Sequence, residues 1–394
     1  MSKALPLKIA PEVLFWARNS AGLSVEDCAR SIGVDEVKVK RWEKGIETPS
    51  YVQLENLAYK AYKRPLAILF LSRPPKEKPI DQDFRNLSSR EIKNLSSELK
   101  LVIRKARHLQ NLVRDLHKDE KERPPYLNFN VTLRDNPVSA AARFRNFIGL
   151  TIEEQSKWKV DYAFNNFREM VEGLGIYVFQ LDMPFEEARA FSLTDDFPLV
   201  ILNLKDAKNG RIFSLFHEVC HILFNSGGIF RDKESKNLSG RYKDIEDFCN
   251  QFAASFLIPE EVFKHDINFN IQSQKEWSEE DLEKFARKYK VSKEVILRKL
   301  VDLRLATKSF YFSKKGKWNA ELFGRKQALL KKVKEEGRKV IISPADTVYR
   351  EKGKKFINDV MSGVEKGILT YSEIADYLDV KLDHLPKIIQ RIQA

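Results

Sequence analysis

Two histidines and a glutamate occur at a spacing that suits metal-dependent hydrolysis. Residues 216–224 read Phe-His-Glu-Val-Cys-His-Ile-Leu-Phe, so His217 and His221 are four positions apart. On a helix, positions i and i+4 lie on one face, and both imidazoles can then bind the same metal ion. Glu218 would stand beside the open coordination position, where a carboxylate can act as a general base on water. The apolar neighbours predict that this helix is buried.

A third ligand is expected further along the chain, because a catalytic zinc ion usually has three protein ligands and one open position. Residues 245–254 predict a helix with an apolar stripe, and Glu246 borders that stripe. Asn250 follows four residues later and could hydrogen-bond a ligand histidine from outside the coordination sphere. The alternative makes Glu246 a solvated acid, with Glu260 or Glu261 as less favoured ligands.

Purely structural roles for the same residues stay open. Two histidines on one apolar helix can be core residues that hydrogen bonds satisfy. Cys249 could bind zinc as a thiolate, although its place on the apolar stripe favours a buried structural thiol, and Cys220 is interpreted in the same way. The three cysteines are odd in number and far apart, which argues against a disulfide framework and favours the cytoplasm.

Composition limits the class of protein. The chain has 394 residues, 43% of them hydrophobic, and a formal net charge of +13, which indicates a soluble protein of two or three domains. The charge is uneven: residues 1–75 carry +4, residues 76–306 carry +1 and residues 307–394 carry +8. No apolar run approaches the about 18 residues of a membrane-spanning helix, and no secretory signal pattern is present. Basic ends around a near-neutral middle suggest acidic partners for the ends only.

Apolar periodicity and capping residues predict a mainly α fold with a small β-sheet. Short helices are expected over 11–19, 25–32 and 36–44, with Ser24 and Asp35 as N-caps. A long helix is expected over 89–119, and further helices over 137–175 and from 211 onward. The predicted strands are 176–181, 199–203 and 188–193, the last at the edge of the sheet.

The two helical motifs and the strands before them resemble the ImmA/IrrE family of metallopeptidases over residues 135–304. That family pairs a His-Glu-x-x-His helix with a downstream Glu-x-x-Ala-Asn-x-Phe-Ala-Ala helix, and this chain departs from it at Cys249. The resemblance implies a zincin-like, gluzincin-type α+β domain that binds Zn²⁺. It makes His217, His221 and Glu246 the zinc ligands and Glu218 the general base.

The N-terminal residues separately resemble the XRE (Cro/repressor-like) helix-turn-helix family. The signature includes Ile32-Gly33-Val34 at the turn and Trp42-Glu43-Lys44-Gly45 after it. The resemblance implies binding to double-stranded operator DNA, with the second helix of the motif in the major groove. The side chains it places at the DNA are Glu36, Val37 and Lys40 toward bases and Lys38 and Lys44 near phosphates. The alternative is a unit that only binds protein or forms a homodimer.

These expectations combine into one domain plan. It has a helix-turn-helix domain at 1–72, a linker with a long connecting helix at 73–134, a metallopeptidase domain at 135–306 and a basic helical C-terminal domain at 307–394. The main hypothesis is a cytoplasmic zinc endopeptidase fused to a DNA-binding transcriptional regulator. It would cleave or control a regulatory protein, such as a repressor encoded nearby, whose strand adds to the sheet edge at 188–193. The second hypothesis is a regulator or antitoxin of a toxin–antitoxin or mobile-element module, with an inactive or sensory peptidase fold.

Overall fold

The structure is a computed structural model, and its contacts divide the chain into two units, Met1–His108 and Leu109–Ala394. The four domain ranges expected from the sequence stay predictions. None of the described helices is long and apolar enough to cross a membrane. The described residues are 9–77, 92, 94–119, 123–224, 229–230, 240–268, 276–318, 320–321, 324 and 343–393.

The first unit is helical throughout its described secondary structure. Its α-helices are α1 Pro11–Ser20, α2 Val25–Ile32, α3 Glu36–Glu43 and α4 Tyr51–Asn56, followed by a π-helical turn, Leu57–Tyr62, and a 3-10 turn, Leu66–Phe70. Helix α5, Ser97–Leu116, crosses the division between the units. The helix was predicted over 89–119; residues 89–91 and 93 lie outside the described residues, whereas residues 94–96 and 117–119 are described and are not helical, so the predicted bounds were too wide at both ends.

Capping residues explain why α2 and α3 fall where the sequence predicts them. The Ser24 side chain accepts the Asp27 amide at 2.9 Å, and Asp35 accepts the Val37 amide at 2.6 Å. Gly33 ends α2 with φ of +69°, a conformation that favours glycine. The two N-caps and the C-terminal glycine therefore fix where α2 begins and ends and where α3 begins.

The second unit combines many helices with a short sheet. Its strands are β1 Tyr177–Leu181, β2 Ala190–Leu193, β3 Leu199–Asn203 and β4 Ile229–Phe230. Short 3-10 turns occur at Pro125–Asn128 and Leu382–His384. The helices are α6 Pro137–Phe147, α7 Ile152–Lys157, α8 Val160–Gly173, α9 Lys208–Leu223, α10 Arg241–Leu257, α11 Glu260–Asp266, α12 Glu279–Tyr289, α13 Lys293–Asp302, α14 over 308–318, α15 Pro344–Lys352, α16 Lys354–Glu365, α17 Tyr371–Tyr377 and α18 Leu385–Gln393.

The sheet has the order β1-β3-β2-β4, with β1 parallel to β3 and β2 antiparallel to both of its neighbours. The expectation that residues 188–193 form a free edge was wrong. Strand β4 pairs with β2 at Ala190 and Phe191, and the residues from Ala190 to Leu193 are at most 1% exposed. A two-residue strand on a segment that follows α9 was too short to read from the sequence. No substrate strand can add to the covered part of β2.

The two helices that carry the candidate metal ligands pack against each other and against the sheet. Helix α9 contacts α10, β2 and β3, and α10 also lies along α6. Phe216 of α9 stacks on Phe256 of α10 with ring centroids 3.9 Å apart. Burial of such aromatic rings is a main source of fold stability, so it holds α9 and α10 at a fixed separation.

The C-terminal helices are part of the core of the second unit. Arg168 of α8 donates to the Arg350 carbonyl at 2.7 Å, and Tyr177 of β1 donates to Asp359 at 2.6 Å. Phe356 of α16 meets Phe179 of β1 edge-to-face at 5.0 Å. Helices α15 and α16 therefore cover β1, the strand at the end of the sheet opposite β4.

Candidate metal centre

The structure brings together the three residues that the sequence nominated as zinc ligands. His217 and His221 lie one turn apart on α9, with their Nε2 atoms 3.1 Å from each other. The Glu246 carboxylate on α10 reaches both, at 3.3 Å from His217 Nε2 and 3.3 Å from His221 Nε2. One ligand atom from each residue lies within 4.8 Å of the others, which is the spacing of a group that can hold one ion.

The cluster is almost completely shielded from solvent. His217 is 0% exposed and His221 2% exposed, while the Glu246 side chain retains 15%. Burial lowers the pKa of His217. Burial alone would also lower the pKa of His221, but Cys249 and Glu246 beside it raise that pKa well above its usual value. Burial would raise the pKa of Glu246, yet the two histidines hold it well below its usual range. These shifts favour a charged Glu246 carboxylate beside a neutral His217 and a protonated His221.

One oxygen of Glu218 accepts a hydrogen bond, and the other has no partner among the described residues. The Ser192 hydroxyl on β2 donates to Glu218 Oε2 at 2.6 Å. Glu218 Oε1 is buried and has no hydrogen-bond partner among the described residues. Burial raises the pKa of Glu218 to about 7, against the opposing influence of His221 and Ser192. A carboxyl group with a pKa near neutrality is suited to taking up and releasing a proton.

Two further side chains contact the histidines from the side of α10. An interaction with the Asn250 side chain raises the pKa of His217, which burial lowers. Cys249 is fully buried and hydrogen-bonds both His221 and Cys220. Its thiol is not one of the three grouped ligand atoms. Cys249 therefore contacts the candidate ligand His221 without belonging to the group.

The alternative glutamate ligands lie elsewhere in the described structure. Glu260 pairs with Lys299 at 2.8 Å and with Lys264 at 2.9 Å. The Glu261 side chain is 89% exposed. Neither carboxylate belongs to the histidine cluster, so Glu246 is the acid that the fold places beside both imidazoles.

Ser192 is the residue of this site that sequence reasoning missed. It occupies the middle of an apolar strand, and its backbone partner on β3 is Val200. The available signal was a single hydroxyl between apolar neighbours, which by itself is common in strands. The contact of Ser192 with Glu218 depends on the packing of β2 against α9, which cannot be predicted from the sequence pattern.

A cavity lined by described residues of the second unit is separate from the ligand cluster. It encloses about 1170 Å³, and its wall includes Phe197, Ile222 and Leu223 together with His117 and Asp359. None of the four residues His217, Glu218, His221 and Glu246 lines it. The candidate metal site therefore lies outside this cavity and is identified by the convergence of its ligand atoms.

The residues predicted to face DNA lie on or beside α3 in the first unit. Val37, Lys38, Lys40 and Lys44 are exposed and Glu36 is half-buried. Lys40 pairs with Glu36 at 3.4 Å across one turn. Val39 and Trp42 point into the core of the unit. The helix therefore presents a polar, mostly basic outer face.

A comparison with protein families matches residues 171–301 to the model of the IrrE N-terminal-like domain, Peptidase_M78. The matched range contains the sheet, α9 and α10, and hence Ser192 and the four residues of the cluster. No curated protein and no solved structure matches the chain. Residues 171–301 are therefore similar to the peptidase domain of the ImmA/IrrE family.

Proposed function

We propose that the second unit is a zinc-dependent endopeptidase in which His217, His221 and Glu246 hold the metal. The observation that carries the proposal is the convergence of these three side chains within 4.8 Å of one another in a buried site. Two imidazole nitrogens and one carboxylate oxygen are a donor set that catalytic zinc uses. Glu218 Oε1, buried without a partner among the described residues, supplies the unsatisfied acceptor that such a site requires.

The protein's own groups would divide the work as follows. When bound, zinc supplies Lewis acidity that polarises a peptide carbonyl and makes water easier to deprotonate. Glu218 accepts the proton from the attacking water and returns it to the leaving amine. Asn250 keeps the His217 ring in the orientation that its hydrogen bond selects. The low exposure of the cluster excludes bulk water and strengthens these electrostatic interactions.

Metal content and cleavage together test this proposal. The purified full-length protein should contain one zinc ion, which His217→Ala and Glu246→Gln should each remove. Glu261→Gln is the matched control, because its carboxylate is 89% exposed and outside the cluster. Glu218→Gln should retain zinc and lose about 100-fold or more of its cleavage rate. A zinc-free wild-type protein, or full cleavage by Glu218→Gln, would contradict the proposal.

For the cleavage assay, the product of the neighbouring gene is the first protein to offer as substrate. Zinc without cleavage would favour the second hypothesis, in which the peptidase fold senses or grips a partner in a regulatory or toxin–antitoxin module. Metal content and proteolysis therefore separate an active enzyme from a protein that keeps only the fold.

We further propose that the first unit binds operator DNA in the cytoplasm. The supporting observation is the exposed basic face of α3, on or next to which Lys38, Lys40 and Lys44 are exposed to solvent. Side-chain N-caps begin both α2 and α3. Lys40→Ala should weaken binding to the DNA upstream of its own gene about tenfold, the usual effect of losing one base or phosphate contact. Lys60→Ala, an exposed lysine away from α3, is the control. Equal binding by both variants would refute the assignment of α3.

A further inference from the structure

A buried hydroxyl on the sheet reaches the proposed general base. Ser192 Oγ donates to Glu218 Oε2 at 2.6 Å, and both residues are 0% exposed. The bond joins β2 to α9, two elements that are 26 residues apart at this point of contact. Oε1 of the same carboxylate has no partner among the described residues.

We infer that Ser192 is a positioning residue that fixes the Glu218 carboxylate for proton transfer. The inference rests on the proposed peptidase function and adds to it a residue outside the His-Glu-x-x-His helix. Ser192 touches none of the three proposed metal ligands in the described contacts, and it acts through Glu218. Its role is to anchor one oxygen so that the other keeps a single direction.

The physical need for an anchor follows from the glutamate side chain. Glutamate has three rotatable bonds, and an unanchored carboxylate samples several orientations. Proton transfer is fast only when the acceptor oxygen stays within hydrogen-bond reach of the proton. A charge-assisted O–H···O⁻ bond of 2.6 Å is at the short, strong end of the range. One such bond can hold Oε2 while leaving Oε1 available.

The strand holds the hydroxyl still. Ser192 is paired with Val200 on β3, so its backbone cannot shift without breaking the ladder. Side chains alternate between the two faces of a strand, which places Ala190 on the same face as Ser192. Ala190, Val200 and Leu202 belong to the same hydrophobic core as α9. A hydroxyl in this apolar surrounding is stabilised by its bond to Glu218.

Three serine variants of the full-length, zinc-loaded protein test the role. Ser192→Ala should keep the zinc content of the wild type, lower kcat about 10- to 100-fold and leave KM within about twofold, since misplacing a catalytic group affects chemistry more than binding. Ser192→Thr retains the hydroxyl and should recover most of the lost kcat. Ser214→Ala is the matched control: Ser214 is 1% exposed on α9, and its hydroxyl has no partner among the described residues.

A thermal-unfolding cycle provides a readout that does not depend on activity. Ser192→Ala should lower Tm in the wild type. In a Glu218→Met background, where no carboxylate accepts the bond, the same change should leave Tm unchanged or raise it, because the hydroxyl is then unpaired. Equal Tm losses in both backgrounds would show that Ser192 does not act through Glu218.

The outcomes separate the two proposals. If wild-type protein cleaves and Ser192→Ala keeps full kcat, or if Ser192→Thr is as slow as Ser192→Ala, the positioning role is wrong and the peptidase proposal stands. If Ser192→Ala loses zinc, the residue supports the metal site as a whole and the inference is also overturned. If the wild type neither holds zinc nor cleaves, the proposed function itself fails and the positioning role falls with it.

Discussion

Replacing Gln155 with leucine is expected to destabilise the second unit, because Gln155 is the centre of a buried polar network. The side chain is 0% exposed. Its oxygen accepts Arg145 Nη1 at 2.7 Å, and its amide donates to the carbonyls of Leu257 at 3.1 Å and Tyr289 at 2.8 Å. Arg145 also donates to the Phe256 carbonyl at 2.7 Å. The network closes the C-terminal end of α10, the helix that carries Glu246.

The size of the effect follows from the groups left behind. Each buried carbonyl without its donor costs about 1 kcal/mol, and the guanidinium of Arg145 without its acceptor costs about 2 kcal/mol. Leucine recovers about 1 kcal/mol through its larger apolar burial. We therefore expect Gln155→Leu to lower the free energy of unfolding of the second unit by about 3 kcal/mol.

Urea unfolding of the full-length protein, followed by far-ultraviolet circular dichroism and tryptophan fluorescence, measures this loss. Gln251→Leu is the control, because Gln251 is exposed on the same helix α10 and should change the unfolding free energy by less than about 0.5 kcal/mol. A loss below about 1 kcal/mol for Gln155→Leu would refute the reasoning, since the three groups left without partners should together cost about 4 kcal/mol against the about 1 kcal/mol that leucine recovers.

Other perturbations test the remaining parts of the structure. Phe356→Ala should cost the second unit about 3–5 kcal/mol, whereas Phe312→Ala, 65% exposed, should cost almost nothing; chemical unfolding compares them. Asn250→Ala should weaken zinc binding about 10- to 100-fold in a competition titration with a chelating dye, because a ligand imidazole loses its orienting amide; wild-type affinity would contradict this. Glu43→Ala breaks a buried ion pair and should destabilise the first unit by about 3–5 kcal/mol, while Glu26→Ala, in an exposed pair, should stay within about 0.5 kcal/mol.

The sequence predicted best those features that are encoded locally. Helix α2 begins after Ser24 and ends before Gly33, because a hydroxyl cap and a left-handed glycine act within one turn of the chain. The same holds for β3, where five consecutive residues from Leu199 to Asn203 are buried. The i, i+4 spacing on α9 likewise placed His217 and His221 on one face. In each case the determining interactions lie within a few residues.

Features that depend on distant packing could not be read in this way. Strand β4 has two residues, and it covers Ala190 and Phe191 only because the chain after α9 returns to the sheet. The Ser192 hydroxyl donates a hydrogen bond to the Glu218 carboxylate, which lies 26 residues away in the chain. Gln155 reaches the carbonyl of Tyr289, 134 residues later in the chain. Periodicity records which face of an element is buried, and it does not record what that face meets.

The positions of the C-terminal helices change the interpretation of the basic charge at that end of the chain. Residues 343–393, whose helices α15 and α16 cover β1, hold eight Lys or Arg and eight Asp or Glu, so the excess of +8 belongs to residues 307–342. Within that stretch, Lys314 pairs with Glu279 and Lys315 with Glu294, both at 2.8 Å. Charge therefore gives no reason to assign a polyanion-binding role to the helices that cover β1. Their contribution is structural: they complete the unit in which α9 and α10 bring the candidate ligands together.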